Sequence, residues 1–316
     1  MSTKAGGDTL VSKNRPNIVV CIPAKDEEKT IASVVIKAMK NADKVIVCDD
    51  GSADMTAEIA ERLGAEVIRH IANLGKGEAL RTLMIEARKL RPKVVVSLDS
   101  DGQHDADEIA KVAEPVLHGE ADVVIGVRSM EPGIAPRDRI FGNKILDLAT
   151  VRASGGKNKS SSTEVRREYH DTQSGFRAYS LEALDKIDFT QNGMAIESQT
   201  FMDALSANLR IKEVPIKTTY QGIVPRRSRL NHFSQVIDYI ITRTVADSPL
   251  LYLGLPGIVG IILGVLAGLR VIEIFVNHQQ IAAGTALIAV CLIIIGAVLT
   301  ATSVIIKLLK MQALRS

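Results

Sequence analysis

Residues 94–108 read VVVSLDSDGQHDADE, an apolar run that stops at Asp99, Ser100 and Asp101. Similar acidic groups stand elsewhere: Asp26, Glu27 and Glu28 follow the run ending in Pro23-Ala24, and Asp49-Asp50 precede Gly51-Ser52. Carboxylates held close together raise each other's pKa unless a cation joins them. Carboxylate oxygens suit a hard cation, Mg2+ or Mn2+, of the kind bound by one or two carboxylates together with substrate phosphates. Rival motifs fail on spacing. Asp99, Asp101 and Gln103 are followed by His104 where an EF-hand needs Gly. NLGKGEA lacks the first Gly and the Ser/Thr of a P-loop, and no G-x-G-x-x-G follows the first apolar run. Asp54 and Asp105 have a plainer use, as helix caps.

The elements that would position these residues alternate in type. Short runs rich in β-branched residues occupy 18–24, 44–50, 65–70, 93–99 and 121–128. Helix-like segments lie between them, at roughly 27–40, 54–63, 76–90 and 105–117. Near-continuous apolar strands alternating with helices predict an α/β domain whose mostly parallel sheet is covered on both faces. Ligands of such sheets bind outside the carboxyl ends of the strands. The acidic groups fall at those ends.

Composition changes near Pro249. Residues 249–269 and 281–306 carry no charge, and as helices they would extend roughly 30–40 Å, enough to cross about 30 Å of hydrocarbon. They predict a transmembrane hairpin over 249–306, with 270–280 as the connection and 307–316 as a tail. Arg226, Arg227, Arg229 and Arg243 precede the first span, and Lys307, Lys310 and Arg315 follow the second. This bias predicts that the large N-terminal domain and the tail face the cytoplasm. In 231–247, Phe233, Val236, Ile237, Ile240 and Ile241 recur at helical spacing, which predicts an amphipathic helix at the membrane interface. Residues 1–16 read as a polar tail with no secretory signal, leaving 17–230 as the soluble domain. The spans leave homo-oligomer formation open.

The net charge of +3 and an aromatic content of 3% argue against nucleic acid as a partner. Cys21, Cys48 and Cys291 are odd in number and lack metal-ligand spacing, so buried reduced thiols are expected.

Six segments, IPAKDEE, VCDDGS, NLGKGEALRT, LDSDGQHDADEI, VIGVR and DTQSGFRAYS, occur in this order between Ile22 and Ser180. Together they resemble the family-2 glycosyltransferases of GT-A fold, and more narrowly the dolichyl- or polyprenyl-phosphate sugar synthases. The resemblance implies that Pro23, Ala24, Glu27, Asp50, Lys76 and Asp99 meet the nucleotide. It also implies that Asp99, Asp101 and Gln103 form the metal site, with Asp99 reaching toward the ribose as well. Arg137 and Arg139 match the family's acceptor loop. Asp171, Gln173 and Glu197 are expected around the sugar. Inversion at the anomeric carbon is implied too.

A lipid phosphate is anionic at neutral pH and needs no strong general base, but it needs cations beside an anionic donor. Arginine suits that role through its planar fork. Arg128, Arg137 and Arg139, with Arg226, Arg227 and Arg229, are the candidates, Arg128 and Arg139 nearest the chemistry. Residues 154–170 read as an insertion, either a lid that orders with ligands or a disordered loop. The chain has no Trp, and so lacks the Gln-x-x-Arg-Trp motif of processive relatives. The expected activity moves one sugar from a nucleotide sugar to dolichyl or polyprenyl phosphate, UDP-glucose or UDP-N-acetylglucosamine being favoured over GDP-mannose. A transferase acting on a lipid hydroxyl such as diacylglycerol, and an inactive lipid-binding scaffold subunit, stay open at this point.

Overall fold

The computed structural model describes residues 16–128, 169–191, 193–218, 229–280 and 282–313. Arg137, Arg139, Arg226 and Arg227, most of the 154–170 insertion, and nearly all of the 1–16 tail lie outside the described residues. The chain divides into two compact units, Met1–Asp238 and Tyr239–Ser316.

The first unit is built on one sheet of seven strands: β1 (Ile18–Ala24), β2 (Lys44–Asp49), β3 (Glu66–Arg69), β4 (Val94–Ser97), β5 (Val123–Arg128), β6 (Arg177–Ser180) and β7 (Ile211–Ile216). Their order is β3-β2-β1-β4-β6-β5-β7. Strand β6 runs antiparallel to β4 and β5, and every other pairing is parallel. The helices are α1 (Ile31–Asn41), α2 (Thr56–Arg62), α3 (Lys76–Leu90), α4 (Ile109–Leu117), α5 (Leu181–Lys186) and α6 (Ile196–Ser206).

Side chains of β1 alternate between two cores, as strand geometry requires. Val20 and Ile22 pack with Val34 of α1 and Val112 of α4. Val19 and Cys21 pack with Leu83, Met84 and Ala87 of α3. Both faces are therefore buried, which is why the central strands read as continuous apolar runs.

The five strands read from the sequence are present: β1 keeps its bounds, and the other four are one to three residues shorter. Helix α1 starts at Ile31 rather than 27, because Asp26 takes a left-handed φ of 52°. Asp105 caps as expected, accepting from the amide of Asp107. Two strands had no clear apolar signal. Strand β6 is four residues long and includes Arg177. Strand β7, IKEVPI, is half polar and contains Pro215, which an edge strand tolerates. The reversal of β6 matters for the site. Ser97 pairs with Arg177, so the start of β6 meets the end of β4. The segment 171–176 that leads into β6 is thereby delivered to the rim where the acidic groups lie.

The second unit takes the end of helix α7 (Arg229–Asp247) and then a π-helical turn, Leu250–Gly254. Helices α8 (Leu255–His278) and α9 (Ala283–Ala313) follow. Leu250–His278 and Ala283–Gln312, of 29 and 30 residues, are long and apolar enough to cross a membrane. The first runs past 269 because Arg270 and Glu273, expected in a connection, pair at 2.6 Å one helical turn apart. The two helices cross closely: a Cβ on Gly257 would lie 2.7 Å from the Gly296 carbonyl oxygen. Ile262, Leu266, Leu269, Ile294, Ile295 and Val298 face outward. At the other end of the hairpin, Lys310 Nζ donates to Asp247 Oδ1 at 2.8 Å and to the Ala246 carbonyl at 3.2 Å. The ends of α7 and α9 therefore lie together. On α7, Val236, Tyr239 and Ile240 are buried, whereas Ile241 is exposed.

Cys21 and Cys48 are buried and free. Burial pushes both thiols up, Cys48 to about 12. Cys291, expected buried, is exposed on α9.

Candidate functional site

The carboxyl ends of β1, β2 and β4 are adjacent, so their acidic turns share one rim. Each turn is tied down differently. After β1, Lys25 Nζ donates to the Gly51 carbonyl at 2.8 Å, and the Glu27 amide donates to Thr56 Oγ1 at 2.7 Å. Thr30 Oγ1 donates to Glu27 Oε2 at 3.0 Å. Pro23 and Ala24 remain within β1, paired with Cys48 and Asp49.

Asp50, after β2, is buried. Its carboxylate accepts from the amides of Leu74 at 2.9 Å and Gly75 at 2.8 Å, and His70 Nδ1 lies 2.8 Å away. Three of its roughly four acceptor positions are thus used by the protein itself. Asp50 fixes the turn that opens α3, whose first residue is Lys76.

Lys76 carries its ammonium into the centre of the site. Nζ lies 2.7 Å from Asp99 Oδ1 and 2.7 Å from Glu197 Oε1, joining the end of β4 to the first turn of α6. Burial alone would lower the lysine pKa, but the two carboxylates outweigh it and hold the ammonium charged. Burial likewise works against the charge on Asp99, and Lys76, with smaller help from His104 and Arg128, wins and keeps that carboxyl below its usual range. For Asp101 the favourable partners, the Gln103 amide and the more distant Lys76 ammonium, are outweighed. Burial and the neighbouring Asp99 push it up to about 6, although its Oδ1 accepts from the Gln103 amide at 2.9 Å.

The reversed strand β6 supplies the other wall. Gly175 sits against Asp99: a Cβ there would lie 2.6 Å from Asp99 Oδ2, so any other residue would displace that carboxylate. Ser97 Oγ holds the Gly175 carbonyl at 2.8 Å. Arg177 is fully buried and acts as an internal brace. It donates to the carbonyls of Thr172 (2.5 Å), Ser174 (2.8 Å) and Glu197 (2.9 Å), and to Thr200 Oγ1. Five fixed donors on one planar group let it satisfy several buried acceptors of 172–174 and 197–200 at once. Arg128 and Asp171 form a second buried pair: Asp171 Oδ2 accepts from Arg128 Nε at 2.6 Å and from the Arg128 amide at 3.0 Å.

Some buried polar atoms are unpartnered. Both ring nitrogens of His104, Gln173 Oε1, Ser174 Oγ and Glu197 Oε2 have no hydrogen-bond partner among the described residues. His104 Nδ1 is 3.9 Å from Asp99 Oδ2, beyond hydrogen-bond reach. Burial pushes the His104 pKa down to about 4, so the ring is neutral at pH 7. Gln173 Nε2 is satisfied by Ser198 Oγ at 2.8 Å. Buried polar atoms are costly to leave unpaired; Glu197 shares Lys76 with Asp99, and Gln173 and Ser174 directly precede Gly175, which packs on Asp99.

Asp99, Asp101, Lys76 and Glu197 thus come together, while Arg128 and Asp171 are engaged with each other. The side chain of Arg229 lies outside the described residues. Arg177, His104, Ser97 and Gly175 had not been singled out from the sequence. Arg177 and Gly175 belong to DTQSGFRAYS and His104 to LDSDGQHDADEI, but nothing in residue type tells a buried bracing arginine from a phosphate-binding one.

Residues 19–188 match the family described as Glycosyl transferase family 2. The chain belongs to that family. It is a glycosyltransferase. The UDP-N-acetylglucosamine–dolichyl-phosphate N-acetylglucosaminyltransferase of Methanococcus voltae is 32% identical, over 64% of this chain and 86% of that one. The polyprenol monophosphomannose synthase of Mycolicibacterium smegmatis is 27% identical, over 68% of this chain and 82% of that one. Among solved structures, Mycobacterium tuberculosis glucosyl-3-phosphoglycerate synthase in complex with Mn2+, UDP-glucose and phosphoglyceric acid superimposes with a TM-score of 0.54. It is 26% identical, with 72% of this chain and 80% of that chain covered.

The donor set of this family-2 site fits a divalent cation. No three His, Cys, Asp or Glu side chains converge as a closed metal centre among the described residues. The site is therefore not a self-sufficient cage, but Mg2+-type ions commonly take one or two carboxylates and leave the other positions to substrate phosphate and water. Charge points the same way. Among the described residues, Asp99 and Glu197 both meet the Lys76 ammonium, and Asp101, raised by Asp99, adds a further carboxylate beside them.

Proposed function

We propose that the protein transfers one sugar from a nucleoside diphosphate sugar to a polyprenyl phosphate at a membrane surface. The observation that carries this reading is the presence, on one family-2 chain, of a divalent-cation-ready acidic rim and of two helices long and apolar enough to span a bilayer. The names of the two curated relatives support the lipid-phosphate acceptor. UDP-glucose and UDP-N-acetylglucosamine remain the favoured donors, with GDP-mannose third. Positive-inside bias favours a cytoplasmic catalytic domain, the hairpin crossing once in each direction.

In this reading the turns after β1 and β2 receive the nucleoside: Pro23, Ala24 and Glu27 form one side and the Asp50-anchored turn the other. Asp99, Asp101 and Gln103 would hold Mg2+ or Mn2+, which when bound neutralises charge developing on the leaving diphosphate. Lys76 adds a second positive charge at the same place. The buried acceptors Glu197 Oε2 and Gln173 Oε1, with the Ser174 hydroxyl, meet sugar hydroxyls and recover hydrogen bonds they otherwise lack. Arg128 and Asp171 together fix the start of the acceptor segment. Arg137, Arg139, Arg226, Arg227 and Arg229 are the proposed cations for the lipid phosphate. That phosphate arrives ionised, so the attack requires orientation more than a general base.

The test is transfer from labelled UDP-glucose, UDP-N-acetylglucosamine and GDP-mannose, in separate reactions, to a short polyprenyl phosphate by the full chain in detergent. Acid-labile labelled lipid from one donor, lost in Asp101→Ala, is expected. Undiminished turnover in that variant would remove Asp101 from the reaction. Product formed only on diacylglycerol would overturn the acceptor.

A further inference from the structure

Lys76 Nζ stands 2.7 Å from a carboxylate oxygen that the proposed metal site also needs. Its side chain is only 15% exposed, and its second carboxylate partner, Glu197, is 4% exposed. Two such contacts make the lysine a fixture of the site rather than a surface charge that happens to fall nearby. Asp50 strengthens this, because it clamps the amide of Gly75 immediately before Lys76. Gly175 packs closely on Asp99, since a Cβ at that position would come within 2.6 Å of its carboxylate.

A divalent cation arriving alone would meet an ammonium already on Asp99. One arriving with a nucleoside diphosphate brings new anionic oxygens to which the same ammonium can turn. The lysine does not then have to leave the site, because Glu197 still holds its other side. We infer that Lys76 is a resident counter-cation shared between Asp99 and Glu197, and that it makes divalent-cation binding depend on the nucleotide. Lys76 is a positioning residue for the metal in this role, and Glu197 is its alternative anchor. The inference rests on the reading that Asp99 and Asp101 hold the cation. Coupling of this kind is reciprocal: the cation must favour nucleotide binding by the same factor.

The experiment is a Mn2+ titration followed by electron paramagnetic resonance on the full chain in detergent, with and without UDP. Each variant is first shown to keep the thermal transition of the wild type. For wild type, UDP is expected to tighten Mn2+ binding by at least about 30-fold, a coupling within the ordinary range for linked sites. In Lys76→Gln, Mn2+ binding without UDP should tighten about tenfold, while binding with UDP changes less than about threefold, so most of the coupling disappears. Lys76→Arg, which keeps the charge, should retain weak binding without UDP. Glu197→Gln leaves the ammonium on Asp99 alone, and Mn2+ binding without UDP should weaken further.

Equal tightening of both states in Lys76→Gln would mean only a general field effect and would overturn the inference. So would unchanged or weaker binding without UDP. If wild type binds no Mn2+ even with UDP, the metal reading itself fails. That outcome is separable from failure of the lysine's role, which requires a working metal site to be seen.

Discussion

Asp50 and Asp99 each follow one of the two strands that flank β1, yet the structure uses them in opposite ways. Asp50 is held by two backbone amides and a histidine. Those donors cannot leave without unmaking a turn. Asp99 is held by the flexible end of one lysine side chain. That donor can be exchanged for another cation at little cost to the fold. The lesson is that a buried carboxylate becomes chemistry or scaffold according to what donates to it, and sequence shows the carboxylate but not the donor.

The comparison can be broken by substitution. Asp171→Ala sets the scale for a carboxylate that is scaffold alone. It removes the carboxylate that the buried Arg128 guanidinium donates to, and a loss of about 3–5 kcal/mol in denaturant unfolding is expected. A loss below about 1 kcal/mol would show that solvent reaches the pair. Asp99→Asn should lower transfer about a hundredfold or more, near 2.7 kcal/mol in the barrier, yet move the unfolding midpoint little, because Lys76 keeps Glu197. A large drop in stability there would place Asp99 with the scaffold. Asp50→Ala should do the reverse in emphasis, costing about 1–3 kcal/mol through orphaned amides, with UDP affinity falling because the Lys76 turn loosens. Full stability with lost UDP binding would instead make Asp50 a direct nucleotide contact. Ser97→Ala, which removes the bond to the Gly175 carbonyl, should cost about 0.5–1.5 kcal/mol and leave the donor preference unchanged.

Much of this contrast could be approached from residue order. The runs at Ile18–Ala24 and Lys44–Asp49 were legible because both faces of those strands are buried, so every position had to be apolar. The acidic turns were legible because charge following such a run must lie at a strand end. Strands β6 and β7 were not. One spends a position on Arg177, whose guanidinium is satisfied by carbonyls from distant segments, and the other sits at an edge where polar residues and Pro215 are tolerated. The Lys76–Asp99–Glu197 line was half visible. All three residues stood out singly, but their meeting depends on the crossover of α3 and on the first turn of α6. The two apolar helices were plain, whereas the continuation through Arg270 and Glu273 required knowing that these two charges answer each other.

The buried pairing of Arg128 with Asp171 has a consequence for how such a protein can vary. It joins the last residue of β5 to the start of the segment entering β6, so the chain from 129 to 170 leaves and returns at one fixed gate. Closing a loop across a fixed gate costs little more when the loop grows, about 0.6 kcal/mol for each doubling of its length. The sheet is therefore insulated from whatever is threaded between those two residues.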